Sequence, residues 1–593
     1  MHLLHINADV YHYNEGHAAF GALERLLILV QNENLSFDEA LEVVRSSTLF
    51  TTHTPVPAGH DTFSEELLRI YLSYHANLLN VNWKRLMSLG KIDGDDPDEE
   101  FSVSFFAARL SQEINGVSAI HEKVTRKMFN PLWKGYARNE LPIGHITNGV
   151  HYSTWISSDW QAIYKNCFGE DFIDKITETE HWKKIKNVPD KTIWTTHLKH
   201  KNYLLEEIKN RSKNNANKHF NTIKQLTQQL GNLTEKALVI VFARRLVAYK
   251  RATLLFFDQD RLASIIQKSN YPIVFLFAGK AHPNDLGGQE MMREIIEISK
   301  QERFHGHFFF LENYDIELAK KLTQGADIWL NTPEMGMEAS GTSGMKAAMN
   351  GVLNFSVLDG WWGEAYNDDI GWAISSPIEG KNSIVQNEME SEMLYRELEN
   401  NIIPLFSNRD ADDIPTNWIA KIKNSISQIG PVYTTQRILK GYIERYYIKL
   451  ESRTKLISAN HFECAKKLAI WKTQVINEWN KIQVISMDVF DSNNKAFPLG
   501  SELNPSIVID IGELSLDDIG VEIIFINKRK DEDDFETIFF KNDLNPSELI
   551  NRQATFSCKI PITQSGVYEH GFRIYPKNPL LLYRQDFPLV KWV

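Results

Sequence analysis

The sequence predicts an α/β protein with a parallel sheet at its centre and a β-rich region appended at its C-terminal end. Two observations carry this. Short apolar runs at residues 238–243, 273–278, 307–311, 326–330 and 352–357 are mostly separated by helical segments. Strands alternating with helices imply a parallel sheet buried on both faces. From about residue 484 the texture changes to β-type runs between turns, at 507–511, 521–526 and 554–560, the pattern of an all-β sandwich-like segment.

Taken in order, residues 1 to about 190 read as helices joined by loops. Residues 18–31 place Phe20, Leu23, Leu26, Leu27 and Val30 at helical spacing. Residues 51–60 are a loop broken by Pro55, Pro57 and Gly59. Residues 101–124 read as one long helical stretch with Asn115-Gly116 inside it, and 143–155 as a short strand leading into the turn Asn148-Gly149. The Lys- and Asn-rich residues 190–235 read as exposed helix and connection, and 432 to about 480 as helix again. The expected domains are 1–190, 191–480 and 481–593.

Composition bounds the function. A chain of 593 residues exceeds the ~250–300 that one core supports. A 43% hydrophobic fraction excludes a wholly disordered chain. The net charge of −11 disfavours general binding to nucleic acid or to anionic membrane surfaces. Cys167, Cys464 and Cys558 form no metal or disulfide pattern. No apolar run reaches the ~18 residues of a membrane helix, and the first residues lack a signal-peptide pattern, so a cytoplasmic protein is expected.

Chemistry concentrates in three stretches. In Glu338-Ala-Ser-Gly-Thr-Ser-Gly-Met-Lys346, a small flexible loop runs into a helix. Such a junction turns amides and the helix dipole toward an anion. A lysine beside a phosphate cradle is what an aldehyde cofactor carrying a phosphate requires; a plain strand-to-helix connection reads equally well. Ala347 after Lys346 excludes a Walker A loop. Arg244, Arg245, Lys250 and Arg251 gather positive charge just after a predicted strand, where sites in such sheets lie. Asp359-Gly-Trp-Trp-Gly-Glu364 suits a sugar-binding wall, with core packing of the tryptophans as the alternative. Asp359 and Glu364 also admit a glycosidase-pair reading. His17, His53, His60, His145 and His151 show no zinc spacing, so no metal is expected.

These motifs together resemble the glycogen (α-glucan) phosphorylases. Residues 338–346, Asn350-Gly351 and Leu358-Asp-Gly360 are similar to the family's pyridoxal-phosphate segment, and residues 244–251 to its phosphate-binding segment. Leu311-Glu-Asn-Tyr314 and Ile146-Thr-Asn-Gly149 match two further motifs, while Asn14-Glu-Gly-His17 and Thr52-His-Thr-Pro55 resemble the shorter bacterial enzymes. The resemblance covers roughly residues 10–450. It implies a GT-B fold, two Rossmann-like domains facing a cleft, and reversible phosphorolysis of α-1,4-glucans such as glycogen or maltodextrin to glucose 1-phosphate. Lys346 would hold pyridoxal 5'-phosphate; Arg244, Thr342 and Gly344 would bind its phosphate, with Tyr314 and Trp155 nearby. Arg245 and Lys250 would bind substrate phosphate. Glu338, Ser340, Gly341, Asn148 and Tyr249 would hold the glucosyl unit, with Glu338 and Asn148 orienting it for attack. Homodimers are common in the family.

The departures are specific. Gln112 stands where the animal and plant enzymes have a sugar-side histidine, Asp315 replaces a cation, and Arg244 replaces a lysine. The early strands of the family's N-terminal domain and its glycine-rich loop have no counterpart, so that domain is expected to be incomplete and the chain alone weakly active or inactive. A nucleotide-sugar-dependent glucan synthase and a non-catalytic glucan-binding fragment are the alternatives.

Overall fold

The computed structural model describes residues 4, 6–56, 59–94, 96–214, 230–375, 383–489, 498–527 and 538–593. The chain forms two compact units, each discontinuous in sequence. One comprises Met1–Gly116, Glu122–His145 and Ile443–Val593; the other comprises Val117–His121 and Ile146–Tyr442.

The first unit holds a four-stranded parallel sheet in the order Tyr11–Asn14, Thr48–Thr51, Glu113–Gly116, Ile143–His145. Ile143–His145 falls where a short strand is expected; the other three strands correct the reading of residues 1–190 as helices and loops. The stretch 101–124 is not one helix. A helix at Val103–Arg109 stops, all four residues of Glu113–Gly116 are buried as a strand, and a helix resumes at Ala119–Phe129. Only Ile114 of this fully buried strand is apolar, so nothing in Glu-Ile-Asn-Gly marks it as a strand against the flanking helical periodicity. Helix Phe20–Asn32 covers this sheet through Leu23, Leu26 and Leu27, as the spacing of residues 18–31 predicts.

The C-terminal region of the same unit is antiparallel. Its strands join in one seven-stranded sheet, a β half-barrel, beside a two-stranded ribbon. Ile507, Ile509, Val521, Ile523, Phe572 and Ile574 fill its core. Arg573, fully buried, is satisfied by Glu522 and Glu140 at 2.6 Å each, so this charge is paired as burial demands.

The second unit is built on six parallel strands. Their spatial order is Gly371–Ile374, Leu353–Val357, Ile328–Asn331, Leu238–Ala243, Ile273–Ala278, Phe308–Leu311. Five of them coincide with the predicted apolar runs. Numbered along the chain the order is 6-5-4-1-2-3, the doubly wound arrangement, which reverses between Leu238–Ala243 and Ile328–Asn331. Ligands of such sheets sit beyond the carboxyl ends at that reversal. Along the central strand Leu238, Ile240 and Phe242 enter one core and Val239, Val241 and Ala243 the other. Each fully buried Ile, Leu or Phe contributes ~1.5–3 kcal/mol.

The polar segment 190–235 is less exposed than its composition suggests. Helix Asp190–Asn214 buries Leu204, Leu205 and Ile208 against the sheet. It also carries fully buried His197 and Lys201 to Asp327, at 2.8 and 2.7 Å. Residues 215–229 of that expectation lie outside the described residues. Among the described residues no helix is long and apolar enough to cross a membrane.

Candidate active site

The two strands flanking the reversal each hand over to a loop, and the two loops meet. After Ala243 the chain runs through Arg244 to a short 3-10 turn at Ala248–Lys250. After Asn331 it runs through residues 332–337 to Glu338. Glu334 N–H donates to the Tyr249 carbonyl at 2.8 Å, stitching the loops together. Glu338 is buried and accepts from Arg244 Nη2 at 2.7 Å and Lys250 Nζ at 2.5 Å.

The charges explain each other. Burial alone would raise the Glu338 carboxyl, but the Arg244 and Lys250 charges outweigh it and hold Glu338 below its ordinary value. Lys250 is lowered to about 8, first by burial and then by repulsion from Arg244, with Glu338 opposing. Its ammonium also lies 4.5 Å from the Tyr249 ring centre. One carboxylate faces two cations here. The Nε and Nη1 of Arg244 are buried and have no hydrogen-bond partner, an incomplete arrangement for a guanidinium. Arg245 is exposed and close enough to oppose, with Arg244, the upward push of burial and Glu338 on the Tyr249 phenol. Tyr314, half-buried beyond strand Phe308–Leu311, likewise feels Arg244 against its own burial.

Beyond Glu338 the chain turns at Ser340-Gly341 and enters the helix Ser343–Ala348, with Thr342 at its N-cap. Ser340 is buried and its hydroxyl has no partner. Lys346 bonds its amide to the Thr342 carbonyl at 3.2 Å. Its amine lies 3.6 Å from the Trp155 ring centre, and burial lowers it to about 8. Trp155 is fixed by Asn350 Nδ2, which donates to its carbonyl at 3.0 Å. At Gly344 an added Cβ would lie 2.3 Å from Asn354 Oδ1 and 2.9 Å from Trp361, so this glycine is required by packing. Asn148 lies in the turn after strand Ile143–His145. Its amide donates to the Val117 carbonyl at 3.2 Å and its carbonyl accepts from Arg437 at 3.0 Å.

The structure decides two readings that the sequence leaves open. Trp361 and Trp362 are 4% and 0% exposed, with Trp361 edge-on to Tyr433, so they form core rather than an exposed sugar wall. Asp359 and Glu364 are not a free carboxylate pair. Asp359 accepts the amides of Glu338 and Gly360, each at 2.8 Å. Glu364 accepts from the Ala119 amide and the Thr147 hydroxyl. Asp359 is thus an anchor of the Glu338 loop that the sequence reading missed. Burial raises it to about 6 despite those amides. At Gly360 (φ +54°) a Cβ would meet the Ser340 carbonyl at 2.3 Å, so the two loops pack backbone to backbone.

Gln112 donates to both carboxylate oxygens of Asp586 at 2.9 Å, a structural use, and Asp315 caps the helix Ile316–Gly325 through the Leu318 amide. His53, His60 and His151 bond Asn14, Ser104 and Thr154, and His145 bonds Glu122. Among the described residues no group of three metal-ligating side chains forms a metal site.

A doubly wound sheet with a cationic, half-satisfied cluster at its reversal and a lysine of lowered pKa on the adjoining helix defines an α/β protein with a cationic site at the carboxyl ends of its strands. A carbohydrate phosphorylase model matches residues 4–367, and a glycogen phosphorylase C-terminal domain model matches 479–593. The chain belongs to the carbohydrate phosphorylase family. This sets aside the nucleotide-sugar synthase alternative. Maltodextrin phosphorylase of Thermococcus litoralis is 36% identical over 525 residues, covering 88% of this chain and 60% of its own. Glycogen phosphorylase of Mycobacterium tuberculosis (strain H37Rv) is 32% identical over 594 residues, covering 98% and 67%. That of Aquifex aeolicus is 37% identical over 448 residues, covering 75% and 63%. The chain therefore spans 60% to 67% of the length of these relatives.

Proposed function

We propose that the site performs the glycosyl transfer of an α-1,4-glucan phosphorylase. Inorganic phosphate takes the terminal glucosyl unit of glycogen or maltodextrin as glucose 1-phosphate, and the proton passes to the oxygen of the shortened chain. The observation that carries this reading is the buried Arg244 guanidinium with two nitrogens unpartnered, beside Lys250 and Glu338. Such a group is built for an anion that completes it.

Pyridoxal 5'-phosphate fits the residues present. Lys346 offers a buried amine lowered to about 8 against an aromatic wall, and Arg244 offers its free donors. In this reading Lys346, Arg244, Thr342, Gly344, Tyr314 and Trp155 hold the cofactor, whose phosphate supplies the acid–base partner for substrate phosphate. Arg245 and Lys250 bind substrate phosphate and offset the repulsion between two phosphates. Asn148, Tyr249, Ser340 and Gly341 hold the sugar.

Glu338 has two states in this scheme. In the structure it neutralises Arg244 and Lys250. An arriving phosphate competes for the same cations and releases the carboxylate toward sugar hydroxyls, where its charge stabilises the oxocarbenium-like centre. We also read the protein as cytoplasmic, from its sequence texture, and as a homodimer, following the family resemblance.

The test adds pyridoxal 5'-phosphate to the purified chain, records absorbance before and after borohydride reduction, and maps the fixed label. Label on Lys346 with at least slow release of glucose 1-phosphate from maltodextrin and phosphate is the expected result. No label and no release overturns the reading; label without release favours a non-catalytic glucan-binding role.

A further inference from the structure

We propose that Arg251 is a positioning residue that sets Lys250 and Glu338 for phosphate. This deepens the phosphorylase reading and rests on it. Arg251 directly follows Lys250, but its side chain bonds neither Glu338 nor any other partner of the Lys250 ammonium. It is 6% exposed, and its backbone adopts φ 46°, ψ 50°, a left-handed conformation that a long side chain takes only where its surroundings impose it.

The surroundings are a complete fork of acceptors. Nε donates to the Thr332 carbonyl at 3.0 Å, Nη1 to Asn387 Oδ1 at 2.8 Å, and Nη2 to the Pro333 carbonyl at 2.6 Å and to the Glu390 carboxylate. Glu390 is itself 1% exposed and is steadied by Gln386 Nε2 at 2.8 Å. The Thr332 hydroxyl lies 3.2 and 3.1 Å from the carbonyls of Lys250 and Arg251. One guanidinium thus clips three segments together: the turn bearing Lys250, the segment leading to Glu338, and the helix Ser383–Glu397.

The geometry points away from a direct role in anion binding, because every donor direction named here is spent inside the protein. It also points away from generic packing. A buried charged fork is an expensive way to fill space, since an apolar residue of similar volume often serves stability as well. What it supplies is direction: a planar group that fixes two loops at once. Lysine keeps the charge but cannot make the fork. Loosening this clip displaces the Lys250 ammonium relative to Glu338 and disturbs Tyr249 on the same turn, while Asn148, Ser340 and Gly341, the other sugar-side residues of the proposed site, lie outside the clipped segments.

The experiment measures steady-state phosphorolysis by the cofactor-loaded chain, with KM for phosphate and for maltodextrin determined separately, and phosphate binding by calorimetry. For Arg251→Lys the expected result is a phosphate KM and Kd raised on the order of tenfold, because small misplacements of positioning groups are felt strongly in such sites. The maltodextrin KM rises several-fold less, because Asn148, Ser340 and Gly341 hold the sugar from outside the clipped segments and act independently of them. Glu390→Gln, which leaves the fork its neutral partners, gives a smaller rise with the same selectivity and adds little in the Arg251→Lys background. Equal changes in both KM values, or none, overturn the positioning role. If Arg251→Lys is recovered only unfolded, Glu390→Gln carries the test, and a phosphate KM equal to wild type overturns the proposal. A wild-type chain that neither binds phosphate nor turns over maltodextrin overturns the phosphorylase reading instead, and the positioning role with it.

Discussion

Lys346 is expected to be an unusually reactive lysine, and its reactivity has a calculable pH profile. Burial beside Trp155 lowers its amine from 10.5 to about 8. At pH 7.5 about a quarter of such amines are neutral, against about one in a thousand for an ordinary lysine, so the nucleophilic fraction rises about 200-fold. The assay follows borohydride-trapped pyridoxal 5'-phosphate on Lys346 by peptide mass spectrometry, using short exposures between pH 6 and pH 10. The labelling rate should rise with a midpoint near 8. Trp155→Ala opens the wall to water and weakens the desolvation that disfavours the charged form. Its midpoint should move upward toward the ordinary value, and labelling at pH 7.5 should fall by about tenfold for each pH unit of that movement. A wild-type midpoint near 10, or a Trp155→Ala profile that coincides with wild type, refutes the reasoning.

Asp359 predicts a second pH dependence, in stability. Its folded value of about 6 lies above the ordinary 3.8. Its contribution is therefore fully present below pH ~4 and lost as pH rises through 6, by about 3 kcal/mol. Asp359→Asn cannot titrate and also leaves one of two buried amides without its acceptor, at a cost of about 1–3 kcal/mol. The variant should be most destabilised relative to wild type near pH 4 and less so at pH 7; a difference in denaturation midpoint that is flat with pH counts against this. At Asp327, which receives His197, Lys201 and the Val239 amide, Asp327→Asn strands the buried Lys201 charge and should destabilise by about 3–5 kcal/mol. Combining it with Lys201→Met should recover part of that loss in chemical denaturation, and purely additive losses would contradict the pairing.

The second sheet was legible because its strands are buried on both faces. Runs such as residues 238–243 are continuously apolar, and nothing in them imitates a helix. The first sheet was legible only at Ile143–His145; its other strands are four residues long and carry residues such as Glu113 and Asn115 that read as polar. Their strand character comes from partners distant in sequence: Phe50 pairs with Ile114, and Ile114 with Ile143. The same asymmetry explains helix Asp190–Asn214. Its polar composition hides a buried stripe whose Lys201 is tolerated only because Asp327 meets it from the sheet.

The candidate site divides along that line as well. Residues that meet a ligand come in dense local runs, because a loop at a strand end must turn several groups toward one point; Arg244 to Lys250 and Glu338 to Lys346 are visible for that reason. Residues that hold those loops are single positions whose partners lie far along the chain. Arg251 reaches Glu390, and Asp359 reaches back to the Glu338 amide. In sequence the first looks like one more surface cation and the second like a sugar ligand or an acid. Only burial distinguishes them. A buried charge whose donors or acceptors are taken up by two segments of the protein has no capacity left for a ligand, so its effect on chemistry has to pass through the groups it holds. That is the reason the Arg251 substitution should separate phosphate from maltodextrin, whereas loss of a group that touches the sugar should not spare it.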